Sequence, residues 1–487
     1  MAKRTAVIDI GSNSVRMVIF EKTSRFAFHL LHETKSRVRI GEGAYENDGY
    51  LNDAAIDRTL KAMDNFLSIA DSYHVRKTLC VATSAVRDAP NKKLFLHRIK
   101  KELGLNVKVI DGIKESYFGG MACANLLAKT KAMTIDIGGG STECAYIEDN
   151  QVKESLSLNL GTVRLKELYC DHNDISAAQK HIDKIMDRLP LAQSLHVVGI
   201  GGTFRALSQA VMQNSNYPLD KLHGFTFSSE DLFMLGEKIL KADKKQLKEL
   251  GIKKERFDVI KPGTLILMKI LKHVGCKSLT TSGAGVREGV YLHDLLRNSG
   301  DRFPEHFNPS VRYLIDKHTL NKKESNQLSR ISKELFDLLY MTLNIEPRFR
   351  HELSIAAKLA HIGESLHFYS YHQHSYYLTQ TALEYGFTHQ QIMLISTLVR
   401  FHKRKQPKKS HLETYASLLP DEKTVIALSY ILSLANTLTV HRPLNIDFTL
   451  SFEENTILVK KLKKPLYLAQ EAVKNLDLPK ELAVKFV

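Results

Sequence analysis

Two short segments of the chain place an acidic residue at the end of an apolar stretch and directly before glycines and hydroxyl residues. They are Asp9-Ile-Gly-Ser-Asn-Ser14 and Asp136-Ile-Gly-Gly-Gly-Ser141, and both follow the pattern Asp-Ile-Gly-x-x-Ser. Glycines let backbone N–H groups approach an anion closely, and hydroxyl groups add further hydrogen-bond donors. A carboxylate beside a phosphate group is favourable when a hydrated Mg²⁺ lies between them. The two segments therefore predict a pair of loops that bind phosphate groups together with Mg²⁺.

A third glycine cluster, Gly199-Ile-Gly-Gly-Thr203, lies between a predicted strand and a predicted helix, which is another common place for an anion. The same glycines are also compatible with tight turns that need positive φ angles and bind nothing. We expect the phosphate contacts to come from the glycines and polar residues of the three clusters, namely Gly11, Ser12, Asn13, Ser14, Gly138, Gly139, Gly140, Ser141, Thr142, Gly201, Gly202 and Thr203.

Two arginine residues near these loops are further candidates for phosphate binding. Arg16 belongs to the first segment, and Arg87 lies on a loop between a predicted strand and a predicted helix. The guanidinium group offers planar, bidentate donors that match phosphate oxygens. Arg16 alternates with apolar residues, so a solvent-facing position on a strand stays open for it. We expect Arg164 and Lys166 to support the loop of the second segment.

The elements that must position these loops occur twice along the chain in the same order. The first copy has predicted strands at Ala6–Ile10, Ser14–Glu21, Phe26–Glu33, Lys77–Thr83 and Asn106–Ile110, and predicted helices at Asp53–Tyr73, Asn91–Leu103 and Lys114–Leu127. The second copy has predicted strands at Ala132–Ile137, Thr142–Glu148, Val152–Leu160 and Leu195–Gly199, and predicted helices at Ser176–Leu189 and from Thr203 onwards. We therefore expect two homologous α/β lobes, residues 1–127 and 128–300, with their loops facing each other across a cleft.

The pattern changes after about residue 300. The segment Asn298–Pro304 mixes turn-forming residues with a proline and reads as a connector. Beyond it, helical spacing dominates, at Ile331–Leu343, His351–His367, His372–Tyr385, Gln390–Phe401 and Val425–Leu438, and the segments Phe448–Leu458 and Lys460–Leu468 are compatible with short strands. We expect a third, mostly helical domain over residues 301–487.

These motifs resemble those of the exopolyphosphatase/guanosine-pentaphosphate phosphatase (Ppx/GppA) family. The resemblance covers residues 5–295 and rests on Asp9–Arg16, Thr83-Ser-Ala-Val-Arg-Asp88, Asp136-Ile-Gly-Gly-Gly-Ser-Thr-Glu143, Leu160-Gly-Thr-Val-Arg164, Gly199–Thr203 and Gly285-Val-Arg-Glu-Gly289, in that order. It implies an α/β fold of two actin-like (ribonuclease H-like) ATPase lobes, Mg²⁺ dependence and hydrolysis of phosphoanhydride bonds.

The resemblance also implies two catalytic acids. A glutamate in the segment Gly112-Ile-Lys-Glu-Ser116 positions or deprotonates the attacking water in the family, and here that residue is Glu115. The family usually has two adjacent acids at this place, whereas this chain has Lys114 followed by Glu115, and Lys114 is in a position to keep the carboxylate ionised. A solvated residue in the first turn of a helix is the alternative. We assign Glu143 to water or Mg²⁺ binding together with Asp9 and Asp136.

The C-terminal part resembles the helical HD-like domain of longer family members, so the fold class we expect includes a C-terminal all-α HD-like domain. The resemblance rests on Ala356–Gly363, His372-Gln-His374 and Val399-Arg-Phe-His402. True HD phosphohydrolases present an adjacent His-Asp pair to a metal, but the corresponding residues here are Ala360 and His361. We therefore expect these histidines to have structural roles.

The composition and net charge of the chain indicate which classes of molecule it binds. The 487 residues carry a formal charge of +16, which favours polyanions. Two basic clusters, Arg400–Lys409 and Lys460–Lys464, suggest a path for a long polyanion in the third domain. The five dispersed cysteines, the absence of a signal-peptide pattern and the lack of a sufficiently long apolar run lead us to expect a cytoplasmic protein that has no membrane partner. No nucleic-acid motif supports DNA or RNA as a partner, and a homodimer is compatible with the sequence.

The sequence therefore favours a phosphohydrolase that removes terminal phosphate from inorganic polyphosphate, from guanosine pentaphosphate, or from both. Two alternatives stay open. One is a regulatory protein that binds polyphosphate or guanosine penta- or tetraphosphate with little turnover, which is compatible with Lys114 in place of an acid. The other is a polyphosphate-dependent kinase of the same superfold, although the Ser-Thr-Glu143 ending of the second loop argues against it.

Overall fold

The structure is a computed structural model. It describes residues 3–44, 47–128, 131–172, 174–189, 195–403, 406–462, 465–477, 479 and 482–487. The chain forms two compact units, Met1–Phe307 and Asn308–Val487. Four basic residues of the two C-terminal clusters, Arg404, Lys405, Lys463 and Lys464, lie outside the described residues.

The strands and helices of the first unit alternate along the chain. Its strands are β1 (Lys3–Ile10), β2 (Val15–Lys22), β3 (Phe28–Ser36), β4 (Lys77–Ala82), β5 (Val107–Val109), β6 (Ala132–Ile137), β7 (Thr142–Glu148), β8 (Gln151–Leu158), β9 (Val197–Ile200), β10 (Thr226–Ser228) and β11 (Ser278–Thr281). Its helices are α1 (Asp53–Ser72), α2 (Ser84–Asp88), α3 (Lys92–Leu103), α4 (Gly112–Leu126), α5 (Thr162–Leu168), α6 (Ile175–Met186), α7 (Gly201–Asn214), α8 (Ser229–Lys241), α9 (Lys244–Glu249), α10 (Ile260–His273) and α11 (Val286–Leu296).

Within the described residues, these strands form two sheets with matching topology. The first sheet has the order β3-β2-β1-β4-β5, and the second has the order β8-β7-β6-β9-β11-β10. In both, an antiparallel three-stranded meander is followed by a parallel neighbour, since β1 pairs with β4 and β6 pairs with β9 in parallel. The repeat that the two Asp-Ile-Gly segments predict is therefore a repeat of whole sheets.

The central strands are apolar along most of their length because helices cover both faces of each sheet. Ile8, Ile10 and Met17 are fully buried in the first core, and Ile135 and Val197 are fully buried in the second. Exposed residues in the middle of a strand occur on outer strands, such as β3 and β8. The ends of the central strands are thereby fixed within each sheet, and the glycine loops begin at those ends.

The second unit is mostly helical. Its helices are α12 (Pro309–His318), α13 (Lys322–Leu339), α14 (Phe349–Leu359), α15 (Tyr371–Ala382), α16 (His389–Phe401), α17 (Lys409–Thr414), α18 (Glu422–Leu438) and α19 (Tyr467–Lys474), and its strands are β12 (Phe448–Glu453), β13 (Thr456–Lys461) and β14 (Ala483–Phe486). The strands form a small sheet with the order β12-β13-β14. The short strands suggested for the C-terminal tail are thus present at Phe448–Glu453 and Thr456–Lys461, whereas the end of the segment Lys460–Leu468 begins a helix.

Two of the histidines that the sequence singled out in the second unit, His361 and His402, have protein partners. His361 contacts Glu324 Oε1 through Nδ1 at 3.1 Å and Asn436 Oδ1 through Nε2 at 2.8 Å. His402 is fully buried and donates from Nδ1 to the Val399 carbonyl at 2.6 Å, and burial lowers its pKa to about 3. The His361 side chain links α13 to α18, and the His402 side chain bonds to the last turn of its own helix, α16, so both have structural roles.

The five cysteines are free thiols. In the part of the chain that the structure describes, no helix combines the length and the apolar character needed to cross a membrane.

Candidate active site

The two Asp-headed loops have the same backbone geometry. Gly11 donates its N–H to the Ser14 carbonyl at 3.2 Å, and Gly138 donates to the Ser141 carbonyl at 2.9 Å. Each bond closes a tight hairpin turn between two antiparallel strands, β1 with β2 and β6 with β7. The strand ends that precede the turns carry Asp9 in the first sheet and Asp136 in the second.

The two hairpins differ in the residue that pairs with the aspartate. Asp9 lies opposite Arg16 in the β1–β2 register, whereas Asp136 lies opposite Glu143 in the β6–β7 register. Equivalent positions of the two lobes thus carry a base and an acid. The two lobes therefore share the hairpin geometry but place side chains of opposite charge beside the aspartate.

The two loops meet each other directly. A β-carbon placed on Gly139 would lie 2.8 Å from the β-carbon of Ser12, which shows how closely the second loop approaches the first. Ser12 is further held by an Oγ–Oγ hydrogen bond of 3.0 Å with Ser84, at the start of α2. The carboxyl ends of the central strands of both sheets therefore converge on one place.

A cavity of about 160 Å³ opens where the loops converge. Most of the residues that the sequence predicts for the site line it, namely Asp9, Gly11, Ser12, Asn13, Ser14, Arg16, Glu115, Asp136, Gly138, Gly139, Ser141, Glu143, Gly201, Gly202 and Thr203. The facing arrangement of Asp9 and Asp136 across a shared opening is thus present.

Three of the predicted phosphate contacts do not line the cavity. The hydroxyl group of Thr142 is buried and donates to the Leu160 carbonyl. Gly140 uses its carbonyl to accept a hydrogen bond of 2.9 Å from Arg164 Nε, which is the supporting contact expected of Arg164. Arg87 lies behind Glu115 and donates to it. Their side chains and backbone groups support the lining of the site.

Glu115 enters the cavity from the first turn of α4. Asp111 caps this helix by accepting a hydrogen bond of 2.7 Å from the Lys114 N–H, and Ser116 anchors it by donating to the Cys144 carbonyl at 2.6 Å. The Glu115 side chain is only 12% exposed, so it is not the solvated first-turn residue that the alternative describes. Burial and the neighbouring Glu143 carboxylate raise its pKa well above the ordinary range.

Arg87, rather than Lys114, is the cation that pairs with Glu115. Its Nη1 donates to Glu115 Oε2 at 3.0 Å and to the Ile110 carbonyl at 3.3 Å. Lys114 instead places its ammonium group over the ring of Phe118, 5.9 Å from the centroid. The assignment to Lys114 is wrong because successive residues of a helix point in different directions, and only Glu115 faces the cavity.

Glu143 is buried on β7, beside Glu115. It accepts a hydrogen bond of 2.9 Å from Ser157 Oγ on the neighbouring strand β8. Burial raises its pKa to about 7, and the nearby carboxylate of Asp136 adds to the shift, while the bonds from Ser141 and Ser157 oppose it. The cavity therefore holds two acids whose pKa values have moved toward neutrality, a common property of groups that transfer protons.

The two aspartates are buried more deeply than ordinary acids. Burial raises the pKa of Asp9, and it raises the pKa of Asp136 to about 6. Among the described residues, none forms a hydrogen bond with Asp9 Oδ1. Gly201 has a φ angle of +80°, and a β-carbon there would lie 2.1 Å from Asp136 Oδ1. The glycine thus allows α7 to begin directly against this carboxylate.

Five basic side chains line the cavity or its edge, of which the sequence analysis named only Arg16. The others are Lys35, Arg205, Arg256 and Arg287. Arg287 lies inside the Gly285–Gly289 motif, and Arg205 lies two residues after the third glycine cluster, so the first could have been found within its motif and the second by extending the cluster. Lys35 and Arg256 belong to no motif, and only the folded chain brings them to the site.

These basic groups repel one another. Burial lowers the pKa of Arg16 to about 10, with Arg287 and Arg205 adding to the shift. The pKa of Lys35 falls to about 8 through burial and the proximity of Arg16 and Arg256. Burial and neighbouring arginines also lower the pKa values of Arg205 and Arg256. A bound polyanion would relieve this repulsion, since it favours the protonated forms.

The comparisons with known proteins agree with this geometry. Residues 18–298 match the Ppx/GppA phosphatase family, and residues 308–482 match domain III of the Ppx/GppA phosphatases. The chain belongs to the Ppx/GppA phosphatase family. As a Ppx/GppA protein it is a phosphohydrolase, and the two sheets with their covering helices are the actin-like lobes of this family.

Three known proteins illustrate the relationship. The guanosine-5'-triphosphate,3'-diphosphate pyrophosphatase of Aeromonas hydrophila is 26% identical over 469 residues, which is 93% of this chain and 91% of that protein. The bifunctional 3-dehydroquinate synthase/phosphatase of Fusobacterium nucleatum is 30% identical over 292 residues, 55% of this chain, and the match spans only 43% of that longer protein. The crystal structure of an exopolyphosphatase from Cytophaga hutchinsonii has 26% identity and a TM-score of 0.53, and the match covers 60% of this chain and 98% of that chain.

The Ppx/GppA site suits a cation bound jointly by protein and substrate. Within the described residues, no three His, Cys, Asp or Glu side chains form a group that could hold a metal ion, so Asp9, Asp136 and Glu143 do not make a ready three-ligand site. Mg²⁺ commonly takes one or two carboxylates and completes its shell with waters and phosphate oxygens. Asp9, with its unpartnered oxygen, and Asp136 fit that requirement.

Proposed function

We propose that this Ppx/GppA protein removes the terminal phosphate group from inorganic polyphosphate, and also from guanosine pentaphosphate to give guanosine tetraphosphate. The observation that carries the proposal is the pairing of opposite features in one cavity. Glu143 is a buried acid and Glu115 a largely buried one, and both have raised pKa values, while Arg16, Arg205 and Arg256 are half-buried basic residues with lowered pKa values. Hydrolysis of a phosphate chain needs both a proton acceptor for water and cations for the chain.

The basic residues would bind the chain. Each phosphate group near Arg16, Arg205 or Arg256 replaces repulsion between guanidinium groups with attraction to an anion. The backbone N–H groups of the glycine loops add donors that carry no net charge. Substrate binding is therefore strongest for anions with several adjacent phosphate groups.

Glu115 would receive the proton of the attacking water. The water oxygen forms a bond with the terminal phosphorus, the proton passes to the Glu115 carboxylate, and the bond from that phosphorus to the bridging oxygen breaks. The shortened chain keeps the bridging oxygen. Arg87 holds Glu115 in one orientation, and the raised pKa makes its carboxylate a stronger base than an exposed glutamate.

Mg²⁺ is the cofactor we propose for this reaction. Asp9 and Asp136 would hold it, and it would supply charge neutralisation at the phosphate oxygens. Their burial without a bound cation leaves two carboxylates with raised pKa values, and a divalent cation would return these values toward the ordinary range.

The relatives support two substrates. The Aeromonas relative, named for guanosine pentaphosphate hydrolysis, matches 93% of this chain, whereas the Cytophaga exopolyphosphatase matches 60% of it. We expect both activities, because the cavity offers contacts to phosphate groups, which the two substrates share.

One assay tests the function. Phosphate release is measured from long-chain polyphosphate and from guanosine pentaphosphate side by side, with and without Mg²⁺. Release from at least one substrate that depends on Mg²⁺ supports the proposal. Tight binding of both substrates without any release would instead indicate a regulatory binding protein, and transfer of the phosphate to a nucleotide or sugar rather than to water would indicate a kinase.

A further inference from the structure

The first unit has a second, larger cavity at the opposite end of its first sheet. The cavity has a volume of about 430 Å³ and lies at the start of β1, the end of β2, the start of β4 and the last turns of α11. The Asp-headed loop, by contrast, follows the other end of β1. Strand β1 thus runs from one cavity to the other, with Lys3 in the second cavity and Asp9 in the first.

The lining of this cavity is strongly basic. Seven lysine or arginine side chains line it, together with one acid, Asp294. Asp294 Oδ1 accepts from Lys77 Nζ at 2.5 Å and from Arg297 Nη1 at 3.4 Å. Arg4 forms its own pair with Glu21 at 3.0 Å. The single acid of the cavity is therefore already shared between two bases.

Four basic residues remain after these pairs are taken into account, namely Lys3, Lys22, Arg25 and Arg76. In the part of the chain that the structure describes, no carboxylate forms an ion pair with any of them. Lys3 and Lys22 lie directly opposite each other in the antiparallel β1–β2 register. Like charges at directly opposed positions destabilise a sheet, so a compensating anion would stabilise this end of it.

Burial and the same repulsion lower the pKa of Lys22. The positive charges of Lys3 and Arg25 add to the effect of burial, while Asp294 compensates only in part. An uncompensated group of cations around a cavity attracts anions, and each added negative charge gains from all of them. The ligand that fits is a compact anion with several charges.

The aromatic residues of the cavity disfavour a nucleotide base. The Tyr291 ring is buried and stacks on Phe20 with centroids 4.3 Å apart. The Phe26 ring is covered by the Arg25 guanidinium at 4.9 Å and by the edge-to-face contact with Phe307 at 5.8 Å. With its ring faces in use, the cavity offers charge rather than stacking surface, which suits phosphate groups without a base.

We propose that this cavity is a second anion site that binds a short inorganic oligophosphate, separate from the catalytic cavity. Helix α11 joins the two sites, since its first turn carries Arg287 in the catalytic cavity and its last turns carry Asp294 and Leu295 in the second. The site does not depend on turnover, because none of its basic residues lines the catalytic cavity.

Calorimetric titration of the full chain with inorganic tripolyphosphate tests the proposal. The Glu115→Gln background and the absence of divalent cations prevent hydrolysis. We expect two equivalents to bind to the parent chain and one to a chain that also carries Arg25→Glu and Arg76→Glu. The control carries Lys238→Glu and Lys241→Glu, which reverse two exposed charges on α8 and change the net charge equally, and it should still bind two.

The outcomes separate this site from the proposed function. One equivalent in every chain would overturn the second site, and so would an equal loss in the Lys238/Lys241 control. One equivalent in the parent and none in the Arg25/Arg76 chain would support the second site and contradict phosphate binding in the catalytic cavity. Tighter binding of ATP than of tripolyphosphate at the second site would overturn its assignment to an oligophosphate.

A second measurement avoids dependence on the folding of the charge-reversed chain. Acetylation of Lys3 and Lys22 in the parent chain is followed by mass spectrometry, with Lys238 as the internal reference. Saturating tripolyphosphate should slow the reaction at Lys3 and Lys22 at least fivefold and leave Lys238 unchanged. Equal rates with and without the anion would contradict the proposal.

Discussion

At the scale of single residues, two glutamates and one arginine interact at the cavity. Glu115 and Glu143 are close enough for each charge to influence the other, and of these two acids it is Glu115 that accepts a hydrogen bond from Arg87. The arginine thus distinguishes the two acids, since it orients Glu115 and leaves Glu143 bonded to Ser157. We therefore expect the two residues to respond differently to substitution.

The substitution Glu115→Gln should reduce the turnover number at least a thousandfold and change substrate affinity less than threefold. The amide keeps the shape of the side chain but cannot accept the proton of water, and general-base catalysis commonly contributes about 10²- to 10⁴-fold. Steady-state phosphate release gives the rate, and equilibrium binding of polyphosphate gives the affinity. Glu237→Gln, an exposed change on α8, is the control. Turnover within a few fold of the parent chain would remove Glu115 from the mechanism.

The raised pKa values of Asp136 and Glu143 also predict how the stability of the folded chain depends on pH. The pKa of Asp136 is raised from 3.8 to about 6, and that of Glu143 from 4.5 to about 7. Between these limits the folded chain holds protons that the unfolded chain has released, so the contribution of both groups to the free energy of unfolding falls as the pH rises from about 4 to about 7. Below this window the contribution is fully retained.

The substitution Glu143→Gln should remove the part of this dependence that comes from Glu143. Without divalent cations, we expect it to raise the free energy of unfolding by up to about 3 kcal/mol at pH 8, since one pKa unit corresponds to about 1.4 kcal/mol, and to change it little at pH 4. Urea unfolding at the two pH values measures the difference. A loss of stability at pH 8 would show that the ionised carboxylate is well stabilised in the folded chain, contrary to the prediction.

At the scale of secondary-structure elements, glycines determine how closely strands and helices approach the site. Gly201 begins α7 with a φ angle of +80°, and the space beside it is taken by the Asp136 carboxylate. Gly104, which ends α3, has a similar φ angle of +68°, but nothing lies within 4 Å of the position where its β-carbon would be. Both positions favour glycine because of the positive φ angle, and at Gly201 the space for a β-carbon is also occupied.

The substitution Gly201→Ala should therefore cost more than Gly104→Ala. An alanine in this backbone region costs about 1 to 2 kcal/mol, which both variants share. At Gly201 the methyl group also displaces the Asp136 carboxylate, so phosphate release should fall at least tenfold there and stay unchanged for Gly104→Ala. Thermal unfolding and phosphate release are measured for both chains. Equal activity of the two variants would contradict a role for the position of Asp136.

The elements also show what the sequence could predict. The segments Ala132–Ile137 and Thr142–Glu148 were predicted with the bounds that the structure has, because glycines separate two apolar strands there. Asn52 caps α1 by accepting a hydrogen bond from the Ala54 N–H, a role for which asparagine is among the preferred residue types. The role of Arg87 toward Glu115 was missed, since 28 residues separate the two and only the folded chain brings them together.

At the scale of the whole molecule, the excess of positive charge has more than one location. The catalytic cavity and the second cavity of the first unit together bring many bases to its two ends. In the second unit, Lys408, Lys409, Lys460 and Lys461 are exposed, whereas Arg400 packs on Tyr376 and donates to His411. The basic cluster that begins at Arg400 is thus divided between an arginine with a structural role and exposed lysines, of which Lys409 pairs with Glu413 at 3.9 Å.

A chain ending at Phe307 tests whether the surface lysines of the second unit contribute to substrate binding. The Cytophaga exopolyphosphatase matches 60% of this chain over 98% of its own length, so a protein of the size of the first unit alone forms a folded structure. Long polyphosphate gains affinity from every phosphate group that a lysine neutralises, and this gain decreases with salt.

We expect the shortened chain to retain hydrolysis of tripolyphosphate within threefold and to lose at least tenfold in kcat/KM for chains of several hundred phosphates. The dependence of KM on salt concentration should become weaker for the long substrate only. A full-length chain with Lys460→Gln and Lys461→Gln should show a smaller loss in the same direction, and unchanged relative efficiency toward long and short chains in both variants would mean that the second unit takes no part in binding the substrate.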